Sequence, residues 1–314
     1  MGTYINFNNY IHISIETHDD NALKYIGYKD VDDEFIQNLL VNKKVKWVQI
    51  SERLPDEAYF SIDRILEARP DMTFRIFHLL DSEQFDISFL FSMTHLHRLR
   101  IDNIVGLRDN PNIIDFQLLE RLSLKSLSLN CFGLKDYSFI KNLSEELEEL
   151  MIYADIQNSS VNYDNEWLLK YRNLHTLWIG GKTNKHFECL CELQGLRSLG
   201  MRGIKIKDFT FLKKMNLDKL SLLWNSNNDL HELSELSGLK EIELWRINKL
   251  EDISFIESLI DLEVIKLQDL KYIKTLPNLN NHKKLKHIYL IDTGIDETSL
   301  PETTKKFVEH WDNR

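Results

Sequence analysis

Between Leu196 and Leu290 one short phrase returns at a nearly constant interval. It reads Leu196-x-x-Leu199-x-Met201, Leu217-x-x-Leu220-x-Leu222, Leu239-x-x-Ile242-x-Leu244, Leu262-x-x-Ile265-x-Leu267 and Leu285-x-x-Ile288-x-Leu290. Successive copies start 21, 22, 23 and 23 residues apart. A lone unit of this length cannot bury its apolar side, whereas stacked units share one long core whose strands form a parallel sheet. The same phrase runs upstream as Leu96, Leu99, Ile101; Leu124, Leu127, Leu129; Leu147, Leu150, Ile152; and Leu174, Leu177, Ile179. Steps of 28, 23 and 27 residues there leave room for insertions near 107–120 and 157–170, outside the sheet.

Period and phrase together are those of leucine-rich repeats. The predicted class is α/β: a leucine-rich repeat solenoid with a curved parallel β-sheet on its concave face and short helices, 3-10 turns and loops on its convex face. A repeat array grows in one direction and escapes the usual size limit of a core, so the 314 residues are expected to form one elongated domain. Within it, residues 1–72 read as helix-containing repeats and a cap. A strand or two is expected in 4–16, a helix over 31–42, a worn strand phrase at Val45, Val48 and Ile50, and a second helix opened by Pro55. Residues 73–299 hold the repeats proper, and 300–314 are expected to form a capping helix burying Phe307, Val308 and Trp311.

Between strands, Asp86-Ile-Ser-Phe-Leu90, Asp136-Tyr-Ser-Phe-Ile140, Asp208-Phe-Thr-Phe-Leu212 and Asp252-Ile-Ser-Phe-Ile256 recur. An Asp there can accept a backbone amide two or three residues on, so each copy is predicted to start a 3-10 turn; a metal-binding row of carboxylates is the rejected reading. These connectors are similar to those of the bacterial internalin family, and the repeats from Leu96 to Ile295 resemble that family's. The resemblance implies a solenoid whose concave sheet grips a protein partner. One position departs from it. After each strand the family carries Asn, and this chain has Ile104, Phe132, Asp155, Lys182, Ile204, Asn225, Ile247, Leu270 and Thr293. Only Asn225 fits, and the apolar residues are expected to pack inward.

Alternation along a strand turns Leu177 and Ile179 into the core and Trp178 and Gly180 outward. Applied to every repeat, that register puts Met151, Tyr153, Trp178, Gly180, Gly200, Arg202, Leu223, Glu243 and Trp245 on the concave face, and with Trp224 and Arg246 beside them at the strand ends they are the candidate partner-binding residues. Trp, Tyr and Arg dominate the energetics of protein interfaces. Gly180, Gly181, Gly200 and Gly203 are expected to leave a hollow walled by indoles, which would receive an apolar or aromatic side chain or a short peptide. The competing reading lays the tryptophans against one another and uses the glycines for positive φ at strand ends.

A net charge of −10 argues against nucleic acid and against an anionic membrane surface as partners. The opening Met-Gly-Thr-Tyr-Ile-Asn lacks the pattern of a leader peptide, and cytoplasmic location is expected, with secretion only if a leader had been removed. Cys131, Cys189 and Cys191 are expected as free thiols. No catalytic motif is present, and no cofactor or metal is expected. Gly181-Lys182-Thr183 lacks the glycine of a phosphate loop, because Thr176 stands there. His186-x-x-Cys189-x-Cys191 lacks a fourth ligand. His95 and His97 read as a solvated pair, and the Glu145, Glu146, Glu148, Glu149 run as a solvated margin. The expected function is a non-enzymatic module binding a protein or peptide. The alternatives are an immunity or antitoxin-like inhibitor of a basic toxin, and a sugar or small-ligand enzyme using the aromatic hollow.

Overall fold

Each copy of the phrase forms a strand whose two inward residues are shared with the copies on either side. The computed structural model describes residues 9–20, 23–77, 84–102, 107, 110, 113–154, 160–206 and 208–309. Two compact units divide it, Met1–Asn162 and Tyr163–Arg314.

The first unit contains β1 (Tyr10–Ser14), β2 (His18–Asp20), β3 (Leu23–Gly27), β4 (Trp47–Ile50), β5 (Thr73–Phe77), β6 (Arg98–Asp102), β7 (Ser126–Asn130) and β8 (Glu149–Ala154). From β4 to β8 neighbours pair in parallel and in chain order. β1 lies between β4 and β3, parallel to both, and β2 doubles back antiparallel on β3. The sequence anticipated β1 but not the β2 and β3 hairpin, whose residues show no alternation; residues 4–8 lie outside the described residues.

Two helices cover this unit's early strands. In α1 (Asp33–Val41), Asp32 accepts the Phe35 amide at 2.8 Å and caps the positive end. α2 (Asp56–Ala68) follows Pro55 and buries Ala58, Tyr59, Ile62, Ile65 and Leu66, the 3 to 4 residue spacing of one face. Arg69, only 1% exposed, donates to the carbonyls of Leu39 at 2.8 Å, Asn42 at 3.1 Å and Val45 at 3.0 Å, and pairs with Asp71 at 2.7 Å. One buried guanidinium thereby ties the end of α1 to the start of β4.

In the second unit β9 (Thr176–Gly181), β10 (Ser198–Arg202), β11 (Lys219–Leu223), β12 (Glu241–Trp245), β13 (Val264–Gln268) and β14 (His287–Ile291) pair in parallel. The register sets phrase against phrase, so Leu177, Leu199, Leu220, Ile242, Ile265 and Ile288 form one buried row. Ile179, Met201, Leu222, Leu244, Leu267 and Leu290 form the next.

The connectors behave as their composition requires. Asp86, Asp136, Asp208 and Asp252 accept the amides of Ser88, Ser138, Thr210 and Ser254 at 2.8, 2.9, 3.1 and 2.7 Å, and a 3-10 helix follows each. Their carboxylates serve backbone amides, as the capping reading expects. Where the internalin pattern places Asn, Ile204, Ile247 and Leu270 are buried, so burial replaces an amide ladder there. Phe132 is only half-buried; Cys131 beside it takes the inward place and donates its thiol to the Ile101 carbonyl at 3.4 Å. Ile104 and Asp155 lie outside the described residues.

The capping helix expected over 300–314 differs. α3 (Glu302–Lys305) is one turn, and β15 (Val308–Glu309) then pairs in parallel with β14, the Ile288 amide donating to the Phe307 carbonyl at 2.7 Å. An open strand edge needs backbone partners, and that demand outweighs the amphipathic spacing of Phe307 and Val308. Trp311 lies outside the described residues.

Candidate partner-binding face

Two rows of side chains cross the outward face of the second unit. Trp178, Gly200, Ser221, Glu243, Lys266 and Tyr289 stand opposite one another in the first, and Gly180, Arg202, Leu223, Trp245, Gln268 and Ile291 in the second. Neighbouring strands lie about 4.8 Å apart, so each row is a continuous strip. The predicted register holds, with Leu177 and Ile179 buried and Trp178 half-buried between them.

The hollow does not form as predicted. A Cβ built on Gly200 would lie closer than 3.0 Å to the ring carbons Cδ2, Cε2 and Cε3 of Trp178. The indole therefore lies down across Gly200 and fills the space that the missing side chain leaves. Gly181 and Gly203 have φ of 67° and 64°, the conformational role of the competing reading. Gly180 is buried.

The positive φ belongs to a pattern. The residue ending or following the strand is left-handed in six successive repeats: Gly181, Gly203, Trp224, Arg246, Asp269 and Asp292. The amides of Gly203, Trp224, Arg246 and Asp269 each donate to the carbonyl ending the next strand, at 2.8 to 2.9 Å, and this bond sets the turn. Glycine adopts that conformation freely, whereas a tryptophan there costs about 1–2 kcal/mol. Trp224 nevertheless occupies it at φ 55° and remains 37% exposed.

Its neighbours hold the Trp224 indole in place. Trp245 meets it edge-on, with ring centroids 5.8 Å apart and planes at 70°. The Arg202 guanidinium lies 4.2 Å from its centroid and that of Arg246 5.5 Å. Asp269 fixes the surround, accepting from Trp245 Nε1 at 2.7 Å and pairing with Arg246 at 3.1 Å. Leu223 is buried, at 5% exposure, and supports the cluster instead of presenting a surface. Glu243 accepts the Ser221 hydroxyl at 2.8 Å, and Glu241 pairs with Lys219 and Lys266 at 2.9 and 2.8 Å. Burial pushes the Glu241 carboxyl up, but the two lysines outweigh it and hold it below its ordinary range.

Met151 and Tyr153 stand on β8 of the first unit, Met151 37% exposed and Tyr153 half-buried. That unit's outward face carries a polar network the sequence reading did not assemble. Asp102, 1% exposed, accepts from Nε of Arg75 and of Arg100, each at 2.6 Å, and both guanidiniums lie 5.4 Å from the Trp47 ring. Arg75 also donates to Gln49 Oε1 at 3.2 Å, leaving the Gln49 amide nitrogen to meet His12 Nδ1 at 3.2 Å. The imidazole proton then sits on Nε2 and faces Ser51 Oγ at 3.0 Å, so His12 is no base for that hydroxyl. Burial above all, with His18 and Arg75, lowers the His12 pKa to about 4. The signal for this network lay in the register, which already set Arg75 against Arg100 and Phe77 against Asp102.

Other motifs resolve as structure. Thr183 is buried and donates to the Gly180 carbonyl at 3.2 Å, closing a turn and not a phosphate loop. His95 pairs with Asp63 at 3.0 Å and His97 meets the Ser123 carbonyl at 3.2 Å, so neither is merely solvated. In the acidic run, Glu148 pairs with Lys125 at 3.4 Å and Glu149 with Arg98 at 2.5 Å. Cys131, Cys189 and Cys191 are free thiols. Among the described residues no helix is long and apolar enough to cross a membrane.

Comparison with solved structures matches this fold. An internalin from Listeria monocytogenes superposes with a TM-score of 0.52 at 20% identity, over 85% of this chain and 79% of its own. A second internalin of that species, internalin C2, gives 0.45 at 21% identity, over 57% and 77% of the two chains. A leucine-rich repeat protein of Leptospira interrogans gives 0.38 at 15% identity, over 89% and 92%. No family model matches the sequence, and no curated protein matches it. The fold is a leucine-rich repeat solenoid with internalin-like repeats.

Proposed function

We propose that this chain is a non-enzymatic binding module that captures a protein or peptide partner on the outward sheet face of its second unit. The observation that carries the reading is Trp224. A bulky indole is kept, at a cost in backbone energy, at a turn position that glycine fills two repeats earlier and one repeat earlier. Its ring is held half in solvent by Arg202, Arg246 and Trp245. Rigid, partly exposed aromatic residues ringed by arginine are the side chains that contribute most at protein interfaces. Stacked repeats supply the extended surface on which such residues act together. Trp178 and Glu243 stand on the neighbouring row and form the margin of this surface.

The test is capture from an extract of the cells that make the protein, followed by affinity measurement with the purified captured protein. Trp224→Ala and Trp245→Ala are each expected to weaken binding by about 2 kcal/mol, roughly thirtyfold. Unchanged affinity in both variants, with unchanged circular dichroism, rules this face out.

A further inference from the structure

On the connectors of the second unit, the repeat that follows β9 departs from the aspartate pattern. Asp164 accepts the Glu166 amide at 3.1 Å and starts the 3-10 helix Asn165–Lys170, as the connector aspartates do elsewhere. One repeat later the equivalent position holds His186, which precedes the 3-10 helix Phe187–Glu192 and makes no capping bond with its side chain. Released from that task, its imidazole turns back to the preceding repeat. Nδ1 lies 3.0 and 3.1 Å from the two oxygens of Asp164 and 3.6 Å from Oε1 of Glu166. One ligand atom from each of Asp164, Glu166 and His186 falls within 4.8 Å of the others.

This convergence is built from below. Asn165 is fully buried; its Nδ2 donates to the carbonyls of Thr183 and Lys185, both at 2.8 Å, and its Oδ1 accepts the Tyr163 hydroxyl at 3.0 Å. The segment that carries His186 is therefore pinned over Asp164 by an amide with no freedom of its own. Asp164 is itself 4% exposed, whereas the Glu166 and His186 side chains reach solvent at 59% and 50%. One wall is fixed and two arms are open to an incoming ion.

We propose that Asp164, Glu166 and His186 form a three-ligand site for a divalent transition metal, of which zinc is the probe of choice. One imidazole with two carboxylates is a donor set that zinc accepts, with water completing four-coordination, while calcium and magnesium prefer oxygen alone. Lys185, whose Nζ lies 2.7 Å from Asp164 Oδ2, shares that carboxylate. Its side chain is 62% exposed and free to swing out, so it competes with the ion and does not block it. The site lies on the connectors and not on the sheet, so it stands or falls independently of the partner-binding reading.

Zinc titration of the chelator-treated full chain by calorimetry tests the site. One zinc per chain is expected. Glu166→Gln and His186→Ala should each weaken binding at least about tenfold, and Lys185→Gln should strengthen it, an effect that a purely structural ion pair does not produce. Both liganding variants alter exposed side chains, and circular dichroism checks that they remain folded. Cobalt substitution supplies a second readout: the expected spectrum lacks a thiolate charge-transfer band. Absence of zinc binding, binding unaltered in Glu166→Gln and His186→Ala, or a thiolate band lost in Cys189→Ser and Cys191→Ser would each overturn the assignment.

Discussion

Replacing Gly200 by alanine separates this packing from what the sequence alone would suggest. Gly200 sits within β10, away from the positive-φ positions. On conformational grounds, alanine there should raise stability by about 0.4–1 kcal/mol, because it restricts the unfolded chain. The structure reverses the sign. The new Cβ would fall closer than 3.0 Å to three ring carbons of Trp178, so the indole must lift off the strand. A tryptophan buries about 150–250 Å². Baring about a third of that area, at about 25 cal/mol per Å², costs about 1.3–2 kcal/mol, which exceeds the entropic gain. The net expectation is a loss of about 0.5–1.5 kcal/mol, with Trp178 more exposed and its emission shifted to the red. Urea unfolding followed by fluorescence reads both effects, and Trp178→Phe combined with Gly200→Ala should recover part of the loss. A midpoint equal to or above that of the parent, with unshifted emission, would refute the placement of the indole.

Three further outcomes follow from the first and second units. Arg69→Met leaves the Leu39, Asn42 and Val45 carbonyls and Asp71 without their donor, and should cost about 3–5 kcal/mol in denaturant unfolding. His12 has a pKa lowered from 6.5 to about 4, so the unfolded chain binds its proton first as pH falls. Stability should therefore drop by up to about 3 kcal/mol between pH 7 and pH 4, and His12→Gln should remove that share of the slope. Asp252→Ala removes the acceptor of the Ser254 amide and should cost about 1 kcal/mol, seen as a lower thermal midpoint.

The repeats were legible because their signal is local and periodic. Leu199 and Met201 announce their burial by spacing, and Asp252 announces its turn by the serine two residues on. What the sequence hid depends on contacts between separate copies. The antiparallel β2 and β3 pair has no alternation to advertise it, since His18, Asp19 and Asp20 are polar throughout. Val308 fits a helix face as well as a strand, and only the unpaired edge of β14 decides between them. Alternation along β9 turns Trp178 outward, but alternation carries no rotamers, and Trp224 lies just past the end of its strand. The phrase therefore does not reveal that the Trp178 indole closes the gap over Gly200 while that of Trp224 packs against Trp245 and two guanidiniums. The Arg75, Asp102 and Arg100 network was visible as neighbours in the register, but its sharing of one carboxylate was not.

Ile204, Ile247 and Leu270, standing where related repeats carry asparagine, tie the behaviour of the stack to temperature. An amide ladder keeps its strength in the cold, whereas attraction between apolar groups fades as water is cooled. Coils cemented by isoleucine and leucine are thus expected to loosen towards freezing as well as on heating. The stability of this chain is therefore expected to pass through a maximum at an intermediate temperature and to fall on either side of it.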